Sequence, residues 1–124
     1  MKDVVWISVG AVVGANLRYA VSHWAAKALS ASLPWGTLII NVTGSFILGF
    51  ILTWTTDRVL ADPRWRAAVA VGFCGAYTTF SSYAFETLTF WQQGHRLLAL
   101  GNLAANNLLA LAGAVTGAVL ARVL

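Results

Sequence analysis

Four long apolar runs constrain this 124-residue chain more than any other feature. They cover residues 4–29, 35–56, 67–91 and 97–122, and each has about the 20 residues that a helix needs to cross a bilayer. The chain is 59% hydrophobic and 10% charged, and a soluble domain of this size has too much surface to hide so much apolar sequence. We therefore predict an all-α, multi-pass integral membrane protein with one four-helix transmembrane domain over residues 1–124.

Tryptophan and charge positions support this division. The six tryptophans stand near the ends of the runs, at positions 6, 24, 35, 54, 65 and 91, as in the aromatic belts of membrane proteins. One predicted side carries Lys2, Arg58, Arg64, Arg66 and Arg122, and the other carries Arg18, Lys27 and Arg96. This near balance fixes no orientation, and it also suits a chain that inserts both ways and pairs head-to-tail with itself. The net charge of +4 follows from these loop residues, so no nucleic-acid partner is expected.

Small and polar residues recur at helical spacing inside the runs. Glycine pairs four residues apart, at 10 and 14 and at 113 and 117, predict close helix packing. Polar residues form three clusters: Thr37, Asn41 and Ser45 in the second run; Tyr77, Thr78, Thr79, Ser81, Ser82, Tyr83 and Glu86 in the third; and Asn102, Asn106 and Asn107 in the fourth. Such residues either hydrogen-bond between helices or mark a functional path, because unpaired polar groups are costly in hydrocarbon.

The third run is the one that interhelical bonding explains least well. Gly72 and Gly75 lower helix propensity, and the hydroxyls that follow compete for backbone hydrogen bonds, which predicts a helix broken mid-membrane. Breaks of this kind bind ions in transport proteins, and a path lined by neutral donors suits a small anion. Phe80 and Tyr83 are either core packing or ring edges facing that path. Arg18 is either a snorkelling side chain or a charge that concentrates anions at a vestibule.

Three segments resemble the Fluc (CrcB) family of bacterial fluoride channels: GAVVGANLRY from Gly10, WGTLIINVTGSFILG from Trp35 and GFCGAYTTFSSYAFE from Gly72. The resemblance implies a passive fluoride channel in the bacterial plasma membrane, built as an antiparallel homodimer of dual-topology subunits with two pores. It also implies a structural sodium ion (Na+) on the two-fold axis, bound by the backbone carbonyls of Gly75 and Thr78.

The resemblance implies the fluoride-pathway residues too: Asn41, Thr79, Phe80, Ser81, Ser82, Tyr83, Glu86 and Asn106, with Arg18 at the vestibule. One position departs from the family pattern, because Tyr83 stands where phenylalanine is usual. Its added hydroxyl either donates to fluoride directly or turns toward the other hydroxyls.

Other classes of function fit the sequence less well. A small multidrug-resistance-type antiporter needs a carboxylate deep in its first span, and the only acid there is Asp3 at the very end. A fluoride–proton antiporter that uses Glu86 remains compatible with the composition. A membrane scaffold would leave the mid-span hydroxyls without a role. No catalytic constellation is visible at a plausible depth, so we expect no enzyme.

Overall fold

The computed structural model describes residues 2–58 and 62–124, and the predicted loop between the second and third runs falls partly outside them, at 59–61. Every regular element in the described residues is helical, which confirms the all-α prediction. The long helices are α1 (Lys2–Ala28), α2 (Trp35–Asp57) and α6 (Arg96–Val123). Within them, Asp3–Ala28, Trp35–Asp57 and Arg96–Val123 are long and apolar enough to cross a membrane. The chain is therefore a multi-pass membrane protein.

The region of the third predicted span is divided into shorter pieces. It begins with α3 (Pro63–Arg66), whose first turn is capped by the Asp62 carboxylate, and continues as a π-helix (Ala67–Cys74) and α4 (Gly75–Tyr77). Thr78 and Thr79 then adopt extended backbone angles before α5 (Phe80–Gln92) begins. Gly94, with φ of +82°, makes the left-handed turn that leads into α6. An interruption at mid-membrane depth and an antiparallel dimer stay predictions.

Glycines set how closely these helices pack. A Cβ at Gly10 or Gly14 would collide with the backbone of the π-helix, at the carbonyls of Ala68 and Phe73. At the other interface, a Cβ at Gly113 or Gly117 would meet carbonyls of α2. Both predicted glycine pairs thus bring helix backbones together within one chain, α1 against the π-helix and α6 against α2.

The outward surface of the chain is apolar, as a lipid-facing surface requires. Leu97 is 84% exposed and Val123 is 77% exposed. All six tryptophans are also exposed, and the guanidinium groups of Arg58 and Arg96 each lie 5.4 Å from the ring centre of a tryptophan, Trp54 and Trp91 respectively. Aromatic rings with a cation above them suit the headgroup level of a bilayer.

Candidate ion pathway

The side chain of Asn41 forms hydrogen bonds with both the backbone N–H and the backbone carbonyl of Thr79. Its Oδ1 accepts the backbone N–H of Thr79 at 2.8 Å, and its Nδ2 donates to the backbone carbonyl of Thr79 at 3.1 Å. A backbone N–H only donates and a backbone carbonyl only accepts, so the orientation of this amide is determined by its partners. Asn41 on α2 therefore supplies the acceptor that the Thr79 N–H would find in a continuous helix, and it adds a donor to the Thr79 carbonyl.

A chain of side-chain amides continues from Asn41 across the protein. The second N–H of Asn41 donates to Oδ1 of Asn106 at 3.0 Å, and Nδ2 of Asn106 donates to Oδ1 of Asn102 at 2.9 Å. Nδ2 of Asn102 in turn donates to the hydroxyl of Thr87 at 2.9 Å. These bonds join α2, α6 and α5, and each amide fixes the orientation of the next. The chain thus forms a satisfied polar network of the kind that rigidifies a protein interior.

Hydroxyl groups surround the start of α5. The Thr79 hydroxyl accepts the backbone N–H of Ser82 at 3.2 Å as an N-cap, and it donates to the Ser82 hydroxyl at 3.0 Å. The Ser81 hydroxyl lies 3.4 Å from the same oxygen. Because the Thr79 hydroxyl accepts the N–H of Ser82, the first turn of α5 is stabilised without a helical hydrogen bond from Ser82 to the Thr78 carbonyl.

Two cavities share Thr79 as a lining residue. The first, which we call the outer cavity, has a volume of about 580 Å³ and opens beside the connection between α1 and α2. The polar residues that line it include Arg18, Ser22, Thr37, Thr79, Ser81, Ser82 and Glu86. In it, the Thr37 hydroxyl donates to Oε1 of Glu86 at 2.6 Å. The other carboxylate oxygen, Oε2, is buried and has no hydrogen-bond partner among the described residues.

The second, which we call the inner cavity, measures about 270 Å³. It is lined by Asn41, Ser45, Thr78, Thr79, Phe80, Tyr83, Asn106 and Asn107, together with small and aliphatic residues. The rings of Phe80 and Tyr83 are 5.2 Å apart at 69°, an edge-to-face arrangement in which one ring's positive edge meets the other's face. Tyr83 is 8% exposed and Phe80 is 76% exposed, so only the tyrosine is enclosed by its own chain.

The carbonyls of Gly75 and Thr78 fit the sodium ion that the family resemblance implies. In a continuous helix they would accept the N–H groups of Thr79 and Ser82, but those donors bond to Asn41 and to the Thr79 hydroxyl instead. Both carbonyl oxygens are thereby released from the helical ladder, and hard oxygen ligands of this kind suit an alkali cation. Gly75 is also exposed, with open space where a Cβ would be.

The structure brings the residues singled out from the sequence into one region. Arg18, Ser81, Ser82 and Glu86 line the outer cavity, and Asn41, Phe80, Tyr83 and Asn106 line the inner one, with Thr79 in both. Partners of these residues were missed as site residues: Thr37, Thr87, Asn102 and Asn107. Spacing groups Thr37 with Asn41, and Asn102 and Asn107 with Asn106, but it does not indicate which site residue each one contacts.

A multi-pass helical membrane protein with two hydroxyl- and amide-lined cavities beside one irregular backbone segment has a construction that ion-conducting proteins use. Residues 5–118 match the family model described as "CrcB-like protein, Camphor Resistance (CrcB)". The chain belongs to the CrcB family. Among its relatives, the protein named "Fluoride-specific ion channel FluC" from Koribacter versatilis (strain Ellin345) is 55% identical over 118 residues, which cover 95% of this chain and 93% of the relative.

Two further relatives carry the same name. The protein from Sulfurihydrogenibium sp. (strain YO3AOP1) is 47% identical over 124 residues and is covered in full, as is this chain. The protein from Roseiflexus sp. (strain RS-1) is 44% identical over 122 residues, 98% of each chain. The resemblance of the three motifs to this family is thus confirmed, and the family is one of ion channels, a non-enzymatic class.

Proposed function

We propose that the protein is a passive, fluoride-selective channel that releases fluoride from the cytoplasm. The observation that carries the proposal is the extended backbone of Thr79, which is hydrogen-bonded by Asn41 and lines two polar cavities. Backbone that leaves the helical ladder inside a membrane protein is tolerated where it lines a cavity or binds an ion. The names of the relatives identify fluoride as the ion.

The charges along the two cavities support conduction without trapping. Arg18 lines the outer cavity, where a positive charge raises the local concentration of anions. Beyond it the lining polar groups are neutral hydroxyls and amides apart from Glu86, so an anion meets no second fixed cation that would hold it. Hydrogen fluoride enters cells as a neutral acid and dissociates inside. The membrane potential, worth about 2.3 kcal/mol per charge at 100 mV, then drives fluoride out.

The proposal includes a second copy of the chain. Phe80 is 76% exposed, and Gly75, Ser81, Ser82 and Asn107 are exposed beside it, a polar and aromatic surface that suits protein better than lipid. An antiparallel homodimer of dual-topology subunits would cover this surface and complete two pores. It would also bring two pairs of Gly75 and Thr78 carbonyls to a two-fold axis, where a structural sodium ion would bind. The bacterial plasma membrane is the expected location.

Fluoride efflux from liposomes tests this function. The purified protein is reconstituted with internal potassium fluoride, and external fluoride is recorded with an electrode before and after a potassium ionophore is added. We expect efflux that depends on the ionophore, because a channel moves net charge, and no comparable efflux of chloride. Absence of fluoride efflux in both conditions would refute the proposal.

A fluoride–proton antiporter is the second candidate, because Oε2 of Glu86 is buried without a partner and could carry a proton. Antiport predicts fluoride efflux that is accompanied by a pH change in the lumen. Replacement of Glu86 by glutamine would then abolish the pH change. A passive channel instead retains electrogenic fluoride efflux in Glu86→Gln.

A further inference from the structure

The amide of Asn107 contacts the hydroxyl of Tyr83 in a defined orientation. Nδ2 of Asn107 lies 2.7 Å from the backbone carbonyl of Leu103 and 3.0 Å from the Tyr83 hydroxyl. Because a carbonyl only accepts hydrogen bonds, the amide group within 2.7 Å of Leu103 is the NH2 group. The same NH2 group therefore donates to Tyr83, and the phenol oxygen is the acceptor.

This orientation leaves the phenol proton of Tyr83 unused. A phenol donates one hydrogen bond and accepts others, and Asn107 occupies an accepting position. Within residues 2–58 and 62–124, this hydroxyl makes no other hydrogen bond. The ring itself is held by burial and by its edge-to-face contact with Phe80. The proton is thus free to donate to a group that enters the inner cavity.

The other donors of the inner cavity are committed to the protein. Both N–H groups of Asn41 are used, one by the Thr79 carbonyl and one by Asn106. Asn106 donates to the carbonyl and the side chain of Asn102, and the Thr78 hydroxyl donates to the Cys74 carbonyl. Asn41 and Asn106 thus shape the cavity more than they supply hydrogens to it.

Hydroxyl groups are the donors that remain. Besides Tyr83, the inner cavity is lined by the Ser45 hydroxyl, which makes no hydrogen bond within the described part of the chain. A small anion that loses water in this cavity needs replacement donors, and donors to an ion form stronger bonds than neutral pairs do. Tyr83 is also the enclosed member of its aromatic pair, so its hydroxyl stays in place while an ion passes.

We propose that Asn107 is a positioning residue for conduction: by donating to the phenol oxygen of Tyr83, it directs the phenol proton to the fluoride ion in the inner cavity. The inference rests on the proposed function and deepens it. The tyrosine hydroxyl at position 83, which phenylalanine would lack, acts in this role together with the Asn107 amide.

A double-mutant cycle tests the pair. Tyr83→Phe removes the hydroxyl, Asn107→Leu removes the amide at similar volume, and the double variant removes both. We expect each single variant to lower fluoride efflux about tenfold, since Tyr83→Phe deletes the donor to the ion and Asn107→Leu leaves that donor undirected. The double variant should be no slower than Tyr83→Phe alone. Asn16→Leu is the matched control, because Asn16 is an exposed helical asparagine whose amide donates to the Val12 carbonyl of its own helix at 2.7 Å and to no other group among the described residues.

Melting of the detergent-solubilised variants gives a second readout that does not depend on transport. Non-additive effects on melting temperature would establish the Asn107–Tyr83 contact independently of transport. A wild type that carries no fluoride would refute the proposed function but not this contact. A wild type that conducts, together with flux losses that simply multiply in the double variant, would overturn the inference. Full flux in either single variant would overturn it as well.

Discussion

Replacing Asn41 by leucine should disable the channel while leaving the volume of the side chain almost unchanged. Asn41 makes three hydrogen bonds, two to the peptide of Thr79 and one to Asn106. A neutral hydrogen bond contributes about 0.5–1.5 kcal/mol, so three of them sum to roughly 2–4 kcal/mol. A free-energy difference of that size corresponds to about a 30- to 1000-fold change in the population of a conformation.

The released N–H of Thr79 has an alternative partner in the Gly75 carbonyl, the bond that a continuous helix would form. Asn41→Leu should therefore favour a regular helix through residues 78 and 79, which removes the extended backbone of Thr79 that lines the two cavities. We expect fluoride efflux to fall by at least 30-fold, in line with the estimate above. Melting temperature, measured in detergent, should fall as well.

Ser45→Ala is the matched control for stability, since Ser45 lines the same cavity from the same helix and makes no hydrogen bond within the described residues. Its melting temperature should equal that of the wild type. Asn41→Leu protein that keeps both wild-type flux and wild-type melting would refute the reasoning, because it would mean that the Thr79 peptide does not need its side-chain partner.

Three further outcomes are expected. In α6, Gly117→Ala should lower the melting temperature because its Cβ would strike the Phe46 carbonyl, whereas Gly101→Ala, with open space around it, should leave melting unchanged or raise it. Thr37→Val should lower melting relative to Thr37→Ser, since valine leaves the Glu86 carboxylate without its 2.6 Å donor at a cost of about 1–3 kcal/mol. In liposome efflux, Phe80→Ile should reduce flux more than Tyr83→Phe does, and the reverse order would remove Phe80 from the centre of the pathway.

The sequence predicts the parts of the fold that follow from local chemistry. Long apolar runs are sufficient for α1, α2 and α6, because a helix satisfies its own backbone in lipid wherever the residues allow it. Glycine spacing likewise predicts close backbone packing, since small residues are what permits it. Neither signal requires knowledge of which residue lies opposite.

The sequence singled out most of the residues that line the two cavities, but not the hydrogen bonds that join them. The density of hydroxyls after Gly75 indicates an irregular, donor-rich segment, which the extended Thr78 and Thr79 match. The pairing of Thr79 with Asn41, however, joins positions 38 residues apart and depends on how two helices pack. For the same reason the sequence left open whether the Tyr83 hydroxyl turns toward the ion or toward its neighbours, a choice that Asn107 from a third helix determines.

The division of the third predicted span has a consequence for biosynthesis. Between residues 63 and 92, Thr78 and Thr79 separate helical stretches at 63–77 and 80–92, each too short to cross a bilayer alone, and the second carries Glu86. The N–H of Thr79 bonds to Asn41 on α2, a helix that leaves the ribosome earlier. The Thr87 hydroxyl bonds to Asn102 on α6, a helix that leaves it later. We therefore expect α2 to stabilise this segment as it inserts, and α6 to stabilise it further once it is in place. A chain halted before α6 should expose the segment to quality-control proteases.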